Sequence, residues 1–303
     1  MKPVRLLFVG LLLLTIVPAM AETDEIIVYL MTDSEINDPR ICSFDPGTGN
    51  ITVLKKTTGK SLLWVPSLSQ DRAKFCYTFD EDGDQATPAD ESLSMMGIGA
   101  TEEALIANFS FSVTAPSFFP DGNKVLFLGS CNNHSFLASC NLSGDEFLIH
   151  YANTKPKGSP VLSPDGKKIL FTELQQEPQK NWSLCLMNLE GTDCVKLTDS
   201  VETACFSPDG KSVAFSRSSQ SESDGIFLLD LQSGQIKSVI HCHDVTTGIG
   251  FSPDGQRIYF IGSLCLTHYE EEILDEIFSV SIDGTDLKRL TTDGKPKMFL
   301  SVH

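Results

Sequence analysis

Apolar residues in this chain fall in short runs that alternate with polar ones, and the runs return at a nearly fixed spacing. The clearest pair flanks Ser163-Pro164-Asp165-Gly166. The same phrase recurs as Ser207-Pro208-Asp209-Gly210 and Ser252-Pro253-Asp254-Gly255, with Phe119-Pro120-Asp121-Gly122 and Ser69-Gln70-Asp71 as looser copies. Counted from each Asp, the third residue before it is Leu68, Phe118, Leu162, Phe206 or Phe251. The fourth after it is Phe75, Val125, Ile169, Val213 or Ile258, and the sixth is Tyr77, Phe127, Phe171, Phe215 or Phe260. Apolar positions at every second residue predict a strand. The residue between them is also mostly apolar (Cys76, Leu126, Leu170, Ala214, Tyr259), so this strand is expected to be covered on both faces.

The phrase has the chemistry of a tight reversal. Pro pre-sets φ, Asp bonds its own downstream backbone, and Gly accepts the positive φ that closes the turn. Each copy, including Asp121-Gly122, Asp165-Gly166, Asp209-Gly210 and Asp254-Gly255, is therefore read as a structural hairpin turn. A third apolar run follows, such as Leu184 to Leu189 or Ile226 to Leu231. A Gly-containing turn and a fourth run come next, as at Val195-Lys196-Leu197.

The marker Asp residues at 71, 121, 165, 209 and 254 are 50, 44, 44 and 45 residues apart. Four antiparallel strands repeated at this period predict propeller blades. At the C-terminus Met298-Phe299-Leu300 reads as a sixth first strand, with Pro296 aligned to Pro66, Pro116 and Pro160. Three N-terminal runs, Ile26 to Leu30, Arg40 to Phe44 and Ile51 to Leu54, supply the strands this orphan needs. The expected fold is all-β, a six-bladed propeller of four-stranded antiparallel blades, closed by one C-terminal and three N-terminal strands so that no edge stays open.

Composition adds a compartment. Lys2 and Arg5, an apolar run from Leu6 to Val17 and Pro18-Ala19-Met20-Ala21 form a secretory signal over residues 1–21. The run, 12 residues long, is short for a spanning helix of ~20. A single domain is expected over residues 22–303, exported to a periplasmic or extracellular space. Losing Lys2 and Arg5 takes the formal charge from −17 to −19, which disfavours nucleic acid and anionic lipid as partners. Nine cysteines in an oxidising compartment make disulfides plausible, and the odd count leaves at least one thiol. Cys76 and Cys205 sit in strand runs as small hydrophobes, whereas Cys185 and Cys194 flank one predicted hairpin and form the pair to test.

With these repeats the chain resembles the TolB-type β-propeller family, whose WD-like repeats carry a Pro-Asp-Gly hairpin in each blade. The resemblance covers nearly all of the mature chain. Only about five residues separate Ala21 from the first strand, so it concerns the propeller without the α/β domain that precedes it in TolB. A complete ring with no nucleophile–base signature makes the expected function a non-catalytic, monomeric protein- or peptide-binding scaffold, similar to the TolB propeller, with an envelope protein as the kind of partner.

Candidate chemistry falls on the face opposite the Pro-Asp-Gly turns. His241-Cys242-His243-Asp244 lies in the crossing from the fourth blade to the fifth. In an extended segment its two imidazoles share a side, and Asp244 or His268 in the long fifth-blade loop could complete a ligand or metal site. Asp80, Asp82, Asp84 and Glu91 stand at positions one, three, five and twelve of a calcium-type loop. Gln85 at position six and Pro88 at position nine depart from that pattern and favour a solvated acidic loop. Gly59-Lys60-Ser61 lacks the leading Gly of a phosphate loop, and no Gly-x-Ser-x-Gly, His-Glu-x-x-His or Cys-x-x-Cys occurs. Sequons begin at Asn50, Asn108, Asn133, Asn141 and Asn181. The rival expectation is a metal-dependent lyase or hydrolase acting on a glycan or peptide, with a divalent cation held by His241, His243 and His268. A purely structural part in an envelope complex is a third.

Overall fold

A computed structural model describes residues 25–32, 39–56, 62–80, 91–155, 157–175, 181–217, 224–241, 245–262 and 275–302. Its 24 strands form six four-stranded antiparallel sheets. The chain opens with β1 (Ile27–Met31), β2 (Arg40–Phe44) and β3 (Ile51–Lys56) of blade six. Blade one is β4 (Leu62–Leu68), β5 (Lys74–Asp80), β6 (Glu91–Gly97) and β7 (Glu103–Phe109). Blade two is β8 (Ser112–Phe118), β9 (Lys124–Cys131), β10 (His134–Asn141) and β11 (Leu148–Asn153). Blade three is β12 (Lys157–Leu162), β13 (Lys168–Leu174), β14 (Trp182–Asn188) and β15 (Val195–Asp199). Blade four is β16 (Ala204–Phe206), β17 (Ser212–Arg217), β18 (Gly225–Asp230) and β19 (Ile236–His241). Blade five is β20 (Val245–Phe251), β21 (Arg257–Gly262), β22 (Glu276–Ser281) and β23 (Lys288–Arg289). Finally β24 (Lys297–Val302) pairs with β1, so the last strand completes blade six, as the repeat count requires. Among the described residues no helix is long and apolar enough to cross a membrane.

The first strands β4, β8, β12, β16, β20 and β24 each touch the next and close an inner ring. Behind them the second strands carry the apolar columns. Tyr77, Phe127, Phe171, Phe215 and Phe260 are at most 1% exposed. Tyr29 is their sixth member, because Val302 pairs with Ile27 as Leu68 pairs with Phe75. Each of the six aromatics packs in a core cluster shared with the preceding blade, and deleting one such ring costs ~3–5 kcal/mol.

The Pro-Asp-Gly turns do more than reverse the chain. An added Cβ on Gly166 would come within 3.2 Å of Pro120 Cδ. Gly210 meets Pro164 and Gly255 meets Pro208 in the same way, both at 3.5 Å. Each glycine therefore packs on the proline of the preceding blade, and successive turns stack around one end of the disc. A second tier lies outside them. The third-to-fourth-strand turns at Gly144, Gly191 and Gly284 tuck against the backbone carbonyls of Ile106, His150 and Val239 on the preceding outer strands.

The register corrects one alignment. Leu300, not Pro296, stands where Pro66, Pro116 and Pro160 stand, since Leu300 pairs with Tyr29 two residues before the Val302–Ile27 pair. Pro296 precedes the strand altogether.

Candidate binding site in the central channel

The inner edges of the first strands face the axis and have no strand beyond them. Pro is tolerated on such an edge because no ladder bond is lost there, and Pro66, Pro116 and Pro160 all line the channel. Bulges interrupt these strands: two residues, 65–66, 115–116 and 159–160, oppose one aromatic column residue in blades one to three. Blade five breaks register between Val245 and Ile249, and blade six at Phe299. Ala115 and Phe299 hold φ of +50° and +51° at these points. Bulges bend a strand and re-aim its side chains, here opening space at the axis.

That space is a cavity of about 420 Å³. It runs from mid-strand, at Ala115, Ser159, Thr203 and Ile249, down to the turn prolines Pro120, Pro164, Pro208 and Pro253. Its wall mixes apolar side chains such as Phe118, Phe206 and Leu300 with the hydroxyls of Ser67, Ser117, Thr203 and Ser301. Among the described residues no carboxylate, imidazole or lysine lines it, so these residues supply no general acid–base pair. Burial pushes the Cys205 thiol on the wall up to about 12, which leaves it protonated and a poor nucleophile.

Among the described residues Arg72 is the one charged residue of the wall. It occupies the turn position that Gly122, Gly166, Gly210 and Gly255 fill in other blades, and like them has positive φ, +59° against +68° to +69°. Only glycine adopts that region without cost, so blade one accepts local strain and places a half-buried guanidinium at the mouth. The signal was legible: the looser copy Ser69-Gln70-Asp71-Arg72 departs from the phrase at both the Pro and the Gly.

The expected site residues are spread more widely. His241 ends β19 on the opposite face, exposed, with Nε2 3.1 Å from Ser238 Oγ and its ring edge-on to Phe227. Glu91 opens β6, and its carboxylate accepts a hydrogen bond from the Val113 amide of blade two, so it serves a blade joint. Asp80 pairs with Glu91 across the β5–β6 ladder. His243, Asp244, His268, Asp82 and Asp84 lie outside the described residues. Among the described residues no three His, Cys, Asp or Glu side chains gather in a metal-ligating group. The cavity extends toward the Pro-Asp-Gly face, away from His241. Sequence reasoning favoured the loop-rich face because its unusual residues collect there. It could not see that the inner strands open toward the turns.

A search of curated proteins returns no match. Among solved structures, TolB from Acinetobacter baumannii superposes with a TM-score of 0.74 at 17% identity, over 91% of this chain and 66% of that one. The chain thus spans just under two thirds of that protein's length. A putative TolB from Agrobacterium tumefaciens gives a TM-score of 0.67 at 14% identity, over 92% of this chain and 91% of that one. An oligogalacturonate lyase in complex with manganese shares the fold at a TM-score of 0.55 and 14% identity, over 74% of this chain and 68% of that one. Residues 136–301 match the TolB beta propeller domain, and with four Pro-Asp-Gly turns in a ring of six blades the chain belongs to that propeller family.

Proposed function

We propose that the protein is an exported, non-catalytic scaffold that holds an extended protein or peptide segment at the mouth of its central channel. The observation that supports this most is the wall itself: apolar and hydroxyl-bearing, shaped by bulges, ringed by turn prolines and, among the described residues, without an acid–base pair. Extended segments suit such a site, because apolar side chains fill the wall while hydroxyls satisfy the peptide groups. Arg72 at the rim, in a chain of net charge −17, favours a segment with an acidic group. The family resemblance to TolB propellers supports an envelope protein as the kind of partner.

The test is affinity capture from the native envelope with three baits: wild type, a channel-filling Ser117→Trp, and His241→Ala. Capture lost only with Ser117→Trp supports the channel. Capture lost only with His241→Ala moves the site to the loop-rich face. Stoichiometric metal in gently purified, untagged protein, with turnover of a glycan or peptide, would replace the scaffold reading with a lyase or hydrolase.

A further inference from the structure

The joint between blades two and three contains a cluster the channel does not use. Cys185 lies buried on β14, and Cys194 lies exposed immediately before β15. Leu186 pairs with Val195, so the ladder extended by one step sets Cys194 opposite Met187. Side chains two apart on a strand share a face, and Cys185 and Cys194 are therefore diagonal neighbours on the side that packs against blade two. The two thiols lie close enough to perturb each other's ionisation, and the Tyr151 hydroxyl from β11 is near enough to Cys194 to do the same. The Cys185 thiol donates to the Ser183 carbonyl at 3.9 Å.

We propose that Cys185 and Cys194 form a redox-active pair that closes as a disulfide across the β14–β15 hairpin. Both are free thiols in this structure, and closure needs a small-molecule or protein disulfide as oxidant. The Cys194 thiolate attacks one sulfur of that disulfide, forming a mixed disulfide and releasing one thiol. The Cys185 sulfur then loses its proton and attacks Cys194, expelling the second thiol. The protein loses two protons and two electrons, and the oxidant takes up both to become two thiols. Exposure assigns the first attack to Cys194 and resolution to Cys185. Burial pushes Cys185 up to about 12, which suits a sulfur that reacts only once its neighbour is activated.

The other described cysteines offer no equal pair. Cys42, Cys76 and Cys205 stand on three different blades, while Cys131 and Cys140 share blade two but lie at opposite ends of the β9–β10 pair, Cys131 opposite His134 and Cys140 opposite Val125. Cys76 and Cys140 share one core cluster, but both are fully buried and closed to an oxidant. Forming the disulfide would also remove the Cys194 thiol from Tyr151, whose ring lies 5.1 Å from Lys157 Nζ. The oxidation state thereby reaches the contact between two blades.

The experiment equilibrates the full chain in glutathione mixtures of rising oxidising strength, alkylates free thiols after denaturation, and maps peptides by mass. It does not depend on where the cell places the protein. The expected result is loss of two alkylable thiols, with residues 185 and 194 recovered in one linked peptide that dithiothreitol separates. Cys185→Ala is expected to trap glutathione on Cys194. In the wild-type protein, alkylation of both residues in the most oxidising mixture would overturn the proposal. So would a persistent glutathione adduct on Cys194, or a link from either residue to another cysteine.

Discussion

Lys297 Nζ lies 2.8 Å from Glu276 Oε2, and both side chains are wholly excluded from solvent. The pair joins the first residue of the closing strand β24 to the first residue of β22 in blade five. It is surrounded by donors and acceptors: Lys297 Nζ also reaches Asp293 and the Lys295 carbonyl. Glu276 takes further bonds from Arg289, Thr291 and the Gly294 amide. On the opposite side of the ring, Lys157 at the start of β12 repeats the arrangement, bonding Asn153 Oδ1 and the Lys155 carbonyl beside Glu173. Each lysine stands at a position that is apolar in blade two, Val113. Removing one partner of a buried pair strands the other charge, at ~3–5 kcal/mol. Lys297→Met is therefore expected to lower unfolding free energy in urea by about 3 kcal/mol, Arg289 moderating the loss. Adding Glu276→Gln should recover much of it. A single variant as stable as wild type would show that the latch contributes nothing to closure.

These lysines also mark what the sequence could and could not disclose. The turns, the strand columns and the shared sixth blade follow from residues that repeat at one period. Asn153-Thr154-Lys155-Pro156-Lys157 and Asp293-Gly294-Lys295-Pro296-Lys297 are equally visible as text, but they occur in only two of six blades. Their meaning depends on Glu173 and Glu276, which come from different strands of their blades. The bulges at Ala115 and Phe299 leave no mark in composition. Of the candidate site, Arg72 was readable as a broken turn copy. The cavity was not, because it is made by six strand edges distant in sequence.

Arg72 carries a sharper prediction because its turn demands positive φ. Arg72→Gly restores the residue type found at Gly122, Gly166, Gly210 and Gly255 and relieves the cost of φ at +59°. Stability in urea is expected to stay within ~1 kcal/mol of wild type, while capture of the envelope partner falls at least several-fold. Unchanged capture would remove the guanidinium from the binding reading.

Two glycines separate backbone strain from packing. Gly191 and Gly234 both lie in third-to-fourth-strand turns, of blades three and four, with φ of +78° and +72°. A Cβ at Gly191 would stand 1.9 Å from the His150 carbonyl oxygen, whereas one at Gly234 meets nothing within 4 Å. Alanine at either site is expected to cost ~1–2 kcal/mol for its φ. Gly191→Ala must in addition separate blade three from blade two, for a total above ~3 kcal/mol. Equal losses in calorimetry would mean that the outer tier of turns is not a blade contact.

The last prediction concerns acid. In four turns a serine hydroxyl donates to the Asp two residues on at 2.6 Å: Ser69 to Asp71, Ser163 to Asp165, Ser207 to Asp209 and Ser252 to Asp254. The amide two residues beyond each Asp donates as well. These bonds favour the charged form and hold all four carboxyls below the usual range, the serine bond being the largest cause in each. A carboxyl depressed in the native state binds its proton more readily when unfolded. Its contribution is therefore complete above the ordinary Asp value of ~3.9 and is lost as pH falls through the lower native value. Urea midpoints should thus be level above pH ~5 and fall steeply below pH ~4. Blade two has Phe119 in place of the serine and cannot make this bond. Replacing Ser163 and Ser207 with Ala should lower stability at neutral pH by ~0.5–1.5 kcal/mol per site and make the acid limb shallower, since fewer carboxyls differ between the two states. If the double variant loses as much stability between pH 7 and pH 3 as wild type does, the serine–aspartate bonds are not what makes these turns sensitive to acid.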